Sequence, residues 1–210
     1  MTSTCPIVGI GASAGGLEAL KILFESLMPD TGAAYIVIQH LDPEHKSLTA
    51  EILSRSTTMP VVQVTDGMIV EANHVYVIPP NAYLTLSNHM LKLGKAILRH
   101  GVRMPIDTFF WSLAEQHEER AVAIIVSGTG SDGALGLRAI KGNGGFILAQ
   151  TPETAQYGGM PRSAIATGLV DIVCPVNEMS NHLIRYLQHP YIACVINNNQ
   201  STKPAEDDED

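Results

Sequence analysis

Apolar and polar residues along this chain of 210 residues follow two alternating patterns. Short, almost continuous apolar runs, typical of buried β-strands, lie at residues 6–10, 33–39, 121–127, 146–149 and 170–175. Between them, apolar residues recur at helical spacing around 17–27 and 106–113, with Pro105 placed as a first-turn proline, and further helical segments lie at 130–142 and 177–188. This alternation predicts an α/β fold: a three-layer, doubly wound, mostly parallel sheet with helices on both faces.

The middle third of the chain has a different pattern. From about residue 61 to residue 93, short β-type runs alternate with turn residues, which predicts a small antiparallel β insertion with strands at 75–78, 83–86 and 90–93. From about residue 196 onward the chain is polar and ends in five acidic residues, a composition typical of a disordered tail or linker. We therefore expect one folded domain over residues 1–190 and a disordered acidic tail or linker over residues 191–210.

Composition limits the possible classes of protein. Apolar residues make up 45% of the chain and charged residues 16%, which is enough for one domain with a substantial core. No apolar run reaches the length of a transmembrane helix, and the N-terminus lacks the pattern of a signal peptide. The net charge is −8, but removing the five terminal acidic residues leaves about −3, and no basic patch suits a phosphate backbone. We expect no nucleic-acid partner and no direct insertion into a membrane.

The chain has three cysteines, Cys5, Cys174 and Cys194, none of which forms a C-x-x-C pair. An odd number of cysteines without such a motif disfavours a disulfide framework. Reduced thiols are typical of the cytoplasm, which is the location we expect.

The most distinctive segment is Gly11-Ala12-Ser13-Ala14-Gly15-Gly16, between the first predicted strand and the first predicted helix. Its G-x-S-x-G spacing is that of a nucleophile elbow, which exposes a serine hydroxyl at a sharp strand-to-helix turn. Residues Gly9, Gly11 and Ala14 also fit a dinucleotide-binding fingerprint. A serine at this position can also be a helix N-cap or part of a phosphate-binding turn. The local sequence leaves these alternatives open.

Ligand sites in a parallel α/β sheet lie at the carboxyl ends of the strands. Three predicted strands end at Ser13, at His40 and shortly before Asp132, so a hydroxyl, an imidazole and a carboxylate reach one edge. Ser13 would be a nucleophile, His40 its base, and Asp132 the group that orients the imidazole. The simpler alternatives are a helix cap for Asp132, a structural or exposed His40, and a metal site with Asp42 and His45 whose spacing matches no zinc motif. The chain order Ser, His, Asp differs from the Ser, Asp, His order of α/β-hydrolases.

These segments resemble the catalytic domain of chemotaxis protein-glutamate methylesterases, the CheB family. The resemblance covers about residues 7–187 and rests on residues 7–16, 37–40 and 128–133, with 75–80, 105–107 and 159–164 as further matching segments in the same order. It implies hydrolysis of glutamate γ-methyl esters to glutamate and methanol, with deamidation of glutamine as a second activity. The implied substrates are methylated helices of chemoreceptors or other signalling proteins. No metal or cofactor is implied.

The resemblance also assigns the residues of the site. It makes Ser13 the nucleophile, His40 the general base and acid, Asp132 the orienting carboxylate, and main-chain amides near Ala14 and Thr129 the oxyanion donors. Two positions depart from the family pattern, since Ala14 stands where threonine is usual and Thr129 where methionine is usual. Lost side-chain contacts there would lower the rate or alter specificity.

The pattern with Ala14 and Thr129 is similar to the form found in proteins that fuse methylesterase and methyltransferase modules. A methyltransferase module or partner is therefore a further expectation. Because the first predicted strand begins almost at residue 1, we expect no N-terminal receiver domain over the active site. The alternative function is a non-catalytic regulatory or dinucleotide-binding module on the same fold.

Overall fold

The computed structural model describes residues 5–40, 48–95 and 103–189. They form ten strands and six helices in the order β1 (Ile7–Ala12), α1 (Gly16–Ser26), β2 (Ala34–Gln39), α2 (Thr49–Leu53), β3 (Val61–Gln63), β4 (Met68–Ile69), β5 (Val75–Val77), β6 (Ala82–Ser87), β7 (Met90–Lys95), α3 (Pro105–His117), β8 (Ala121–Ile125), α4 (Gly136–Gly142), β9 (Phe146–Gln150), α5 (Gly159–Ala166), β10 (Ile172–Cys174) and α6 (Val176–Leu187). Proline stands in the first turn of α3, as its sequence predicts.

Seven of these strands form one parallel sheet in the order β10-β9-β8-β1-β2-β5-β3. Strand β1 lies at the centre, paired with β2 on one side and with β8 on the other. The strand order reverses at β1, so the crevice at the carboxyl ends of β1 and β8 is the switch point where such sheets bind ligands. This edge carries the three residues singled out above.

The sheet is covered on both faces, which confirms the predicted three-layer α/β architecture. One apolar cluster contains Leu20, Leu23 and Phe24 of α1 together with Met179 and Leu183 of α6. The opposite cluster contains side chains of α3, α4 and α5. The central strands are buried along their whole length, as expected for parallel strands covered on both sides.

The antiparallel insertion has three strands, as the sequence predicts, but one of them is not the predicted one. Strands β4, β7 and β6 form a three-stranded antiparallel sheet, but β5 does not belong to it. The assignment of residues 75–78 to the insertion was therefore wrong, because Val75–Val77 pairs in parallel with β2 in the main sheet. All three residues are buried, so the run has the continuous apolar character of a parallel strand.

The helix predicted over residues 130–142 is also shorter in the structure. Helix α4 begins only at Gly136, because Gly130 and Gly133 adopt positive φ angles of 82° and 94° and form a turn before it. That turn carries Asp132 towards the end of β1. The difference matters for the site, since Asp132 does not belong to a helix.

The described residues include two of the three cysteines of the chain. Cys5 and Cys174 are buried free cysteines. Cys194, Asp42, His45 and the acidic segment over 191–210 lie outside the described residues. Across 5–40, 48–95 and 103–189, no helix is long and apolar enough to cross a membrane.

Candidate active site

Ser13 lies in a tight turn between β1 and α1. Gly15 has a φ of 68°, a left-handed conformation that glycine adopts without strain, and the N–H of Gly16 donates to the carbonyl of Ser13 over 2.9 Å. The N–H of Ser13 donates to the carbonyl of Ser127 over 3.0 Å, which ties the turn to the end of β8. The N-cap of α1 is Gly15 and no side chain caps this helix, so the N-cap alternative for Ser13 is wrong.

The glycines of the dinucleotide fingerprint lie inside β1 and serve packing. A Cβ on Gly9 would come within 3.0 Å of the rings of Phe109 and Phe110. A Cβ on Gly11 would come within 2.7 Å of Ile106 Cγ2. These glycines therefore allow α3 to approach the strand closely, which accounts for both of them without a bound dinucleotide.

His40 and Asp132 meet at the predicted edge of the sheet. The backbone N–H of His40 donates to the carbonyl of Ala12 over 3.2 Å, which places the histidine beside the turn of Ser13. The Nε2 atom of His40 lies 2.7 Å from Oδ2 of Asp132. The imidazole is 33% exposed and the carboxylate 6%, so a buried acceptor orients a ring that solvent can reach.

Asp132 binds the N-terminus of a helix that is distant in sequence. Its Oδ2 accepts from the N–H of Ile106 and its Oδ1 from the N–H of Asp107, both over 3.0 Å. These N–H groups belong to the first turn of α3, where the helix dipole stabilises a negative charge. The expected cap role thus exists, but Asp132 caps α3, whereas Leu135 occupies the N-cap position of the following helix α4.

Asp107 is a second buried carboxyl beside this pair. Its Oδ1 accepts from the N–H of Gly136 over 2.7 Å at the start of α4, whereas its Oδ2 is buried without a hydrogen-bond partner. Burial, together with the nearby charge of Asp132, raises the pKa of Asp107 to about 7. Asp107 does not follow a predicted strand; it lies at the start of a helix, and only the three-dimensional fold brings it to the site.

The segment after β8 lies against the serine. A Cβ added to Gly128 would lie 2.9 Å from Ser13 Cβ and would overlap Met160 Sδ, so only glycine fits there. The carbonyl of Gly128 accepts from the N–H of Met160 over 2.9 Å, which fixes this segment on α5. Among the described residues, the N–H groups of Ala14 and Thr129 have no recorded acceptor. Both are therefore free to donate to a ligand at Ser13.

Ser127 and Gln150 support the turn from behind. Ser127 Oγ donates to the carbonyl of Ala14 over 2.9 Å and accepts from the N–H of Tyr157 over 3.0 Å. The N–H of Ser127 donates to Gln150 Oε1 over 2.9 Å. Both side chains are buried at the carboxyl ends of β8 and β9. Their strand-end positions were the sequence signal that could have identified them.

The described residues place a half-buried serine, a histidine and a buried aspartate at one edge of the sheet. No hydrogen bond between Ser13 Oγ and the His40 ring is recorded within these described residues. Because Nε2 faces Asp132, Nδ1 is the ring nitrogen that remains for the serine. In the described ranges no group of three His, Cys, Asp or Glu residues could hold a metal ion.

A cleft beside His40 gives access to this edge. It is lined by Gln39, His40, Pro79, Asn81, Ala82, Tyr83, Arg103 and Pro105. Five of these side chains carry polar groups, among them the positively charged Arg103, but the exposed lining of the cleft is more apolar than polar. The cleft therefore combines apolar surface with a positive charge beside His40.

Comparison with known proteins shows the family and the fold of the chain. A sequence model described as CheB methylesterase matches residues 8–183. The crystal structure of the Thermotoga maritima CheB methylesterase catalytic domain superposes with a TM-score of 0.81 at 30% identity, covering 87% of this chain and 98% of that one.

Three relatives in sequence illustrate the range of lengths. A Burkholderia orbicola protein-glutamate methylesterase/protein-glutamine glutaminase is 36% identical over 85% of this chain and 53% of its own length. The Yersinia pestis protein of the same name is 34% identical over 88% of this chain and 54% of its own length. An uncharacterized 104.1 kDa protein of Rhodobacter capsulatus is 44% identical over 66% of this chain and only 14% of its own length. The chain thus spans about half the length of the two named methylesterases.

Proposed function

Because this chain belongs to the CheB methylesterase family, we propose that Ser13, His40 and Asp132 form the catalytic triad of a protein-glutamate methylesterase. The observation that carries the proposal is the distance of 2.7 Å between His40 Nε2 and Oδ2 of the buried Asp132. This contact lies at the edge of the sheet where Ser13 follows the end of β1. The family match over residues 8–183 lies inside the proposed catalytic domain, residues 1–190. Residues 191–210 are proposed to be a disordered acidic tail or linker.

The first half of the reaction forms an acyl-enzyme. His40 Nδ1 takes the proton of Ser13 Oγ while this oxygen attacks the carbonyl carbon of the γ-methyl ester. Asp132 stabilises the resulting imidazolium through its contact with Nε2 and is not itself protonated. The tetrahedral intermediate collapses when His40 returns the proton to the methoxy oxygen, so that methanol leaves and a γ-glutamyl ester of Ser13 remains.

The second half hydrolyses this ester. A water molecule gives its proton to His40 while its oxygen attacks the acyl carbon, and the proton then passes to Ser13 Oγ as the C–O bond breaks. The products are the free glutamate side chain and the original serine. The same steps act on a glutamine amide, with ammonia as the leaving group, which supports glutaminase activity as a second reaction of this site.

The negative charge of each tetrahedral intermediate needs fixed donors. The N–H groups of Ala14 and Thr129 are proposed for this role, because Ala14 follows Ser13, Thr129 follows Gly128, which lies against Ser13, and neither N–H has an acceptor among the described residues. Main-chain donors do not depend on side-chain identity, so the alanine and threonine at these positions are compatible with catalysis. Their side chains would affect the rate or specificity only through contacts around the ester.

The proposed substrate is a methylated glutamate on a helix of a chemoreceptor or of another signalling protein. The positive charge of Arg103, on the wall of the cleft next to His40, supports a substrate segment that carries further acidic residues. Partnership with a methyltransferase module is a further proposal, since such an enzyme would supply the methyl ester that this one removes. Two buried free thiols support work in a reducing compartment such as the cytoplasm.

The test is methanol release from a methylated receptor fragment, measured beside hydrolysis of small acyl esters. Ser13→Ala should lower turnover by a factor of about 10³ or more while leaving the circular dichroism spectrum unchanged. The matched control is Ser26→Ala, which removes a hydroxyl at the end of α1 that donates only to Leu23. A fluorophosphonate should label Ser13, as mapped by mass spectrometry. Methanol release by Ser13→Ala at the wild-type rate would refute the proposal.

A further inference from the structure

Asp107 is a buried titratable residue that the steps above do not use. Its residue is fully buried, and the carboxyl oxygen Oδ2 has no donor among the described residues. The other oxygen accepts one hydrogen bond, from the N–H of Gly136. A buried carboxylate oxygen without a hydrogen-bond donor is strongly disfavoured, because a charged group loses much solvation free energy on burial. A protonated, neutral carboxyl loses far less.

A second negative charge already lies next to Asp107. The backbone N–H of Asp107 donates to Oδ1 of Asp132, so Asp132, in the turn before α4, lies against the first turn of α3. Asp132 accepts from two N–H groups and contacts His40, whereas one carboxyl oxygen of Asp107 accepts from Gly136 and the other has no partner among the described residues. When two carboxyls share a buried site, the proton resides on the one with weaker stabilisation of its charge. That one is Asp107.

The other groups around Asp107 offer little compensation. Asp132 is the charged side chain that acts on it, and the backbone N–H groups of Gly136 and Gly133 are the dipoles that favour ionisation. The elements packed around this end of α3 contribute apolar side chains to the same cluster, including Ile125 of β8 and Leu137 of α4. His40 is linked to this pair through its contact with Asp132.

We propose that Asp107 is a positioning residue that holds a proton on Oδ2 while Asp132 stays ionised. The pair then carries one negative charge, which matches the single positive charge that His40 acquires during catalysis. This inference rests on the proposed function only for its effect on rate, because the location of the proton is a property of the fold.

Loss of this proton has a defined effect. Ionisation of Asp107 adds a second negative charge behind Asp132, which favours the imidazolium form of His40 and removes the neutral base. Because burial raises the pKa of Asp107, ionisation occurs as the pH rises through the neutral range. The chemical shifts of the His40 ring should therefore respond to the ionisation of Asp107.

The test compares wild type with Asp107→Asn, which keeps an acceptor for Gly136 but cannot ionise. The His40 ring resonance, assigned by its loss in His40→Gln, is followed by NMR from pH 5 to 9. Wild type should show an inflection near pH 7 from the ionisation of Asp107, and Asp107→Asn should lack it. The control is Asp171→Asn, which removes a carboxylate that binds Lys141 and the N–H of Ile147 away from the site. This control should keep the inflection.

A second measurement is independent of enzyme activity. Infrared difference spectra between wild type and Asp107→Asn at pH 6 should contain the C=O band of a protonated carboxylic acid, which weakens at higher pH. If Asp107→Asn does not fold, wild type labelled with ¹³C-aspartate still reports the band. Absence of the band, or a His40 titration that Asp107→Asn leaves unchanged, would overturn the proposal. If the band is present in a protein that releases no methanol, the proposed function fails and this inference stands.

Discussion

Nε2 of His40 lies 2.7 Å from Oδ2 of Asp132, and the same carboxylate also accepts hydrogen bonds from the first turn of α3. A single aspartate therefore joins the end of β2, the turn after β8 and the start of α3. The dipole of α3 helps keep the carboxylate charged, and the charge in turn fixes the ring. The orientation of the base is thus built into the packing of α3 on the sheet.

Asp132→Asn should reduce kcat by a factor of about 10⁴, the loss seen when a triad aspartate becomes an amide. The Asp132 carboxylate faces three donors, namely His40 and the N–H groups of Ile106 and Asp107. The NH₂ group of asparagine would face at least one of these donors, so the substitution also disturbs the start of α3. Turnover is measured as methanol release, and the unfolding midpoint is measured in urea. Asp171→Asn, which changes a distant carboxylate, should retain wild-type turnover. A kcat within tenfold of wild type in folded Asp132→Asn would exclude a triad role.

Gly128→Ala should impair both stability and activity. The new methyl group would overlap Met160 and lie 2.9 Å from Ser13 Cβ, at an expected cost of about 1–3 kcal/mol in the free energy of unfolding. Displacement of Ser13 should lower kcat by about 100-fold. Adding Met160→Ala should relieve one contact, so we expect the double variant to regain stability without regaining kcat.

The control for this experiment is Gly142→Ala at the end of α4, where no atom lies within 4 Å of the added methyl group. It should leave kcat unchanged and raise stability by about 0.4–1 kcal/mol, since alanine restricts the unfolded chain. Equal kcat values for Gly128→Ala and Gly142→Ala would contradict the close packing described for Ser13.

Ser127→Ala removes one hydroxyl that serves two backbone groups. The carbonyl of Ala14 loses its donor and the N–H of Tyr157 loses its acceptor, which should destabilise the protein by about 1–3 kcal/mol. Because Ala14 follows the nucleophile, kcat should fall by up to about 100-fold with little change in KM. Ser180→Ala, a buried serine on α6, tests whether loss of any buried hydroxyl has this effect. A fall in kcat of the same size in Ser180→Ala would disprove a specific role for Ser127.

Much of the fold follows from periodicity, because buried parallel strands and amphipathic helices have distinct patterns. The five runs that predict β1, β2, β8, β9 and β10 all correspond to strands of the main sheet. Residues 75–78 were assigned to the wrong sheet, since three buried apolar residues do not indicate which neighbour they pair with. The pairing of Val75–Val77 with β2 depends on the crossover through α2 and β3, which short-range sequence does not specify.

Some residues of the candidate site could likewise be predicted from the sequence, and others could not. Ser13, His40 and Asp132 follow strands, and the carboxyl ends of parallel strands meet at one edge, so their proximity was predictable. Asp107 reaches the site only because α3 packs across β1, against Gly9 and Gly11. The spacing of residues along the sequence does not predict this packing of α3 on β1. The role of the two glycines in helix packing was likewise hidden, which is why a dinucleotide fingerprint fitted them equally well.

His117, at the end of α3, should make stability depend on acidity. The side chain is buried, and both ring nitrogens lack hydrogen-bond partners among the described residues. The centroids of the His117 and His89 rings lie 5.5 Å apart. Burial, with the charges of Arg120 and His89, lowers the pKa of His117 to about 3.

Between pH 6.5 and about 3 the unfolded chain binds a proton at His117 that the folded protein does not bind. The stability provided by the neutral ring is thus complete above pH 6.5 and declines with falling pH, by up to about 1.4 kcal/mol per pH unit. His117→Leu should lack this component, so its free energy of unfolding in urea should vary less between pH 6.5 and 4 than that of wild type. His182→Gln on α6 controls for loss of a histidine at a half-buried position. Parallel stability curves for wild type and His117→Leu would show that His117 is protonated equally in both states.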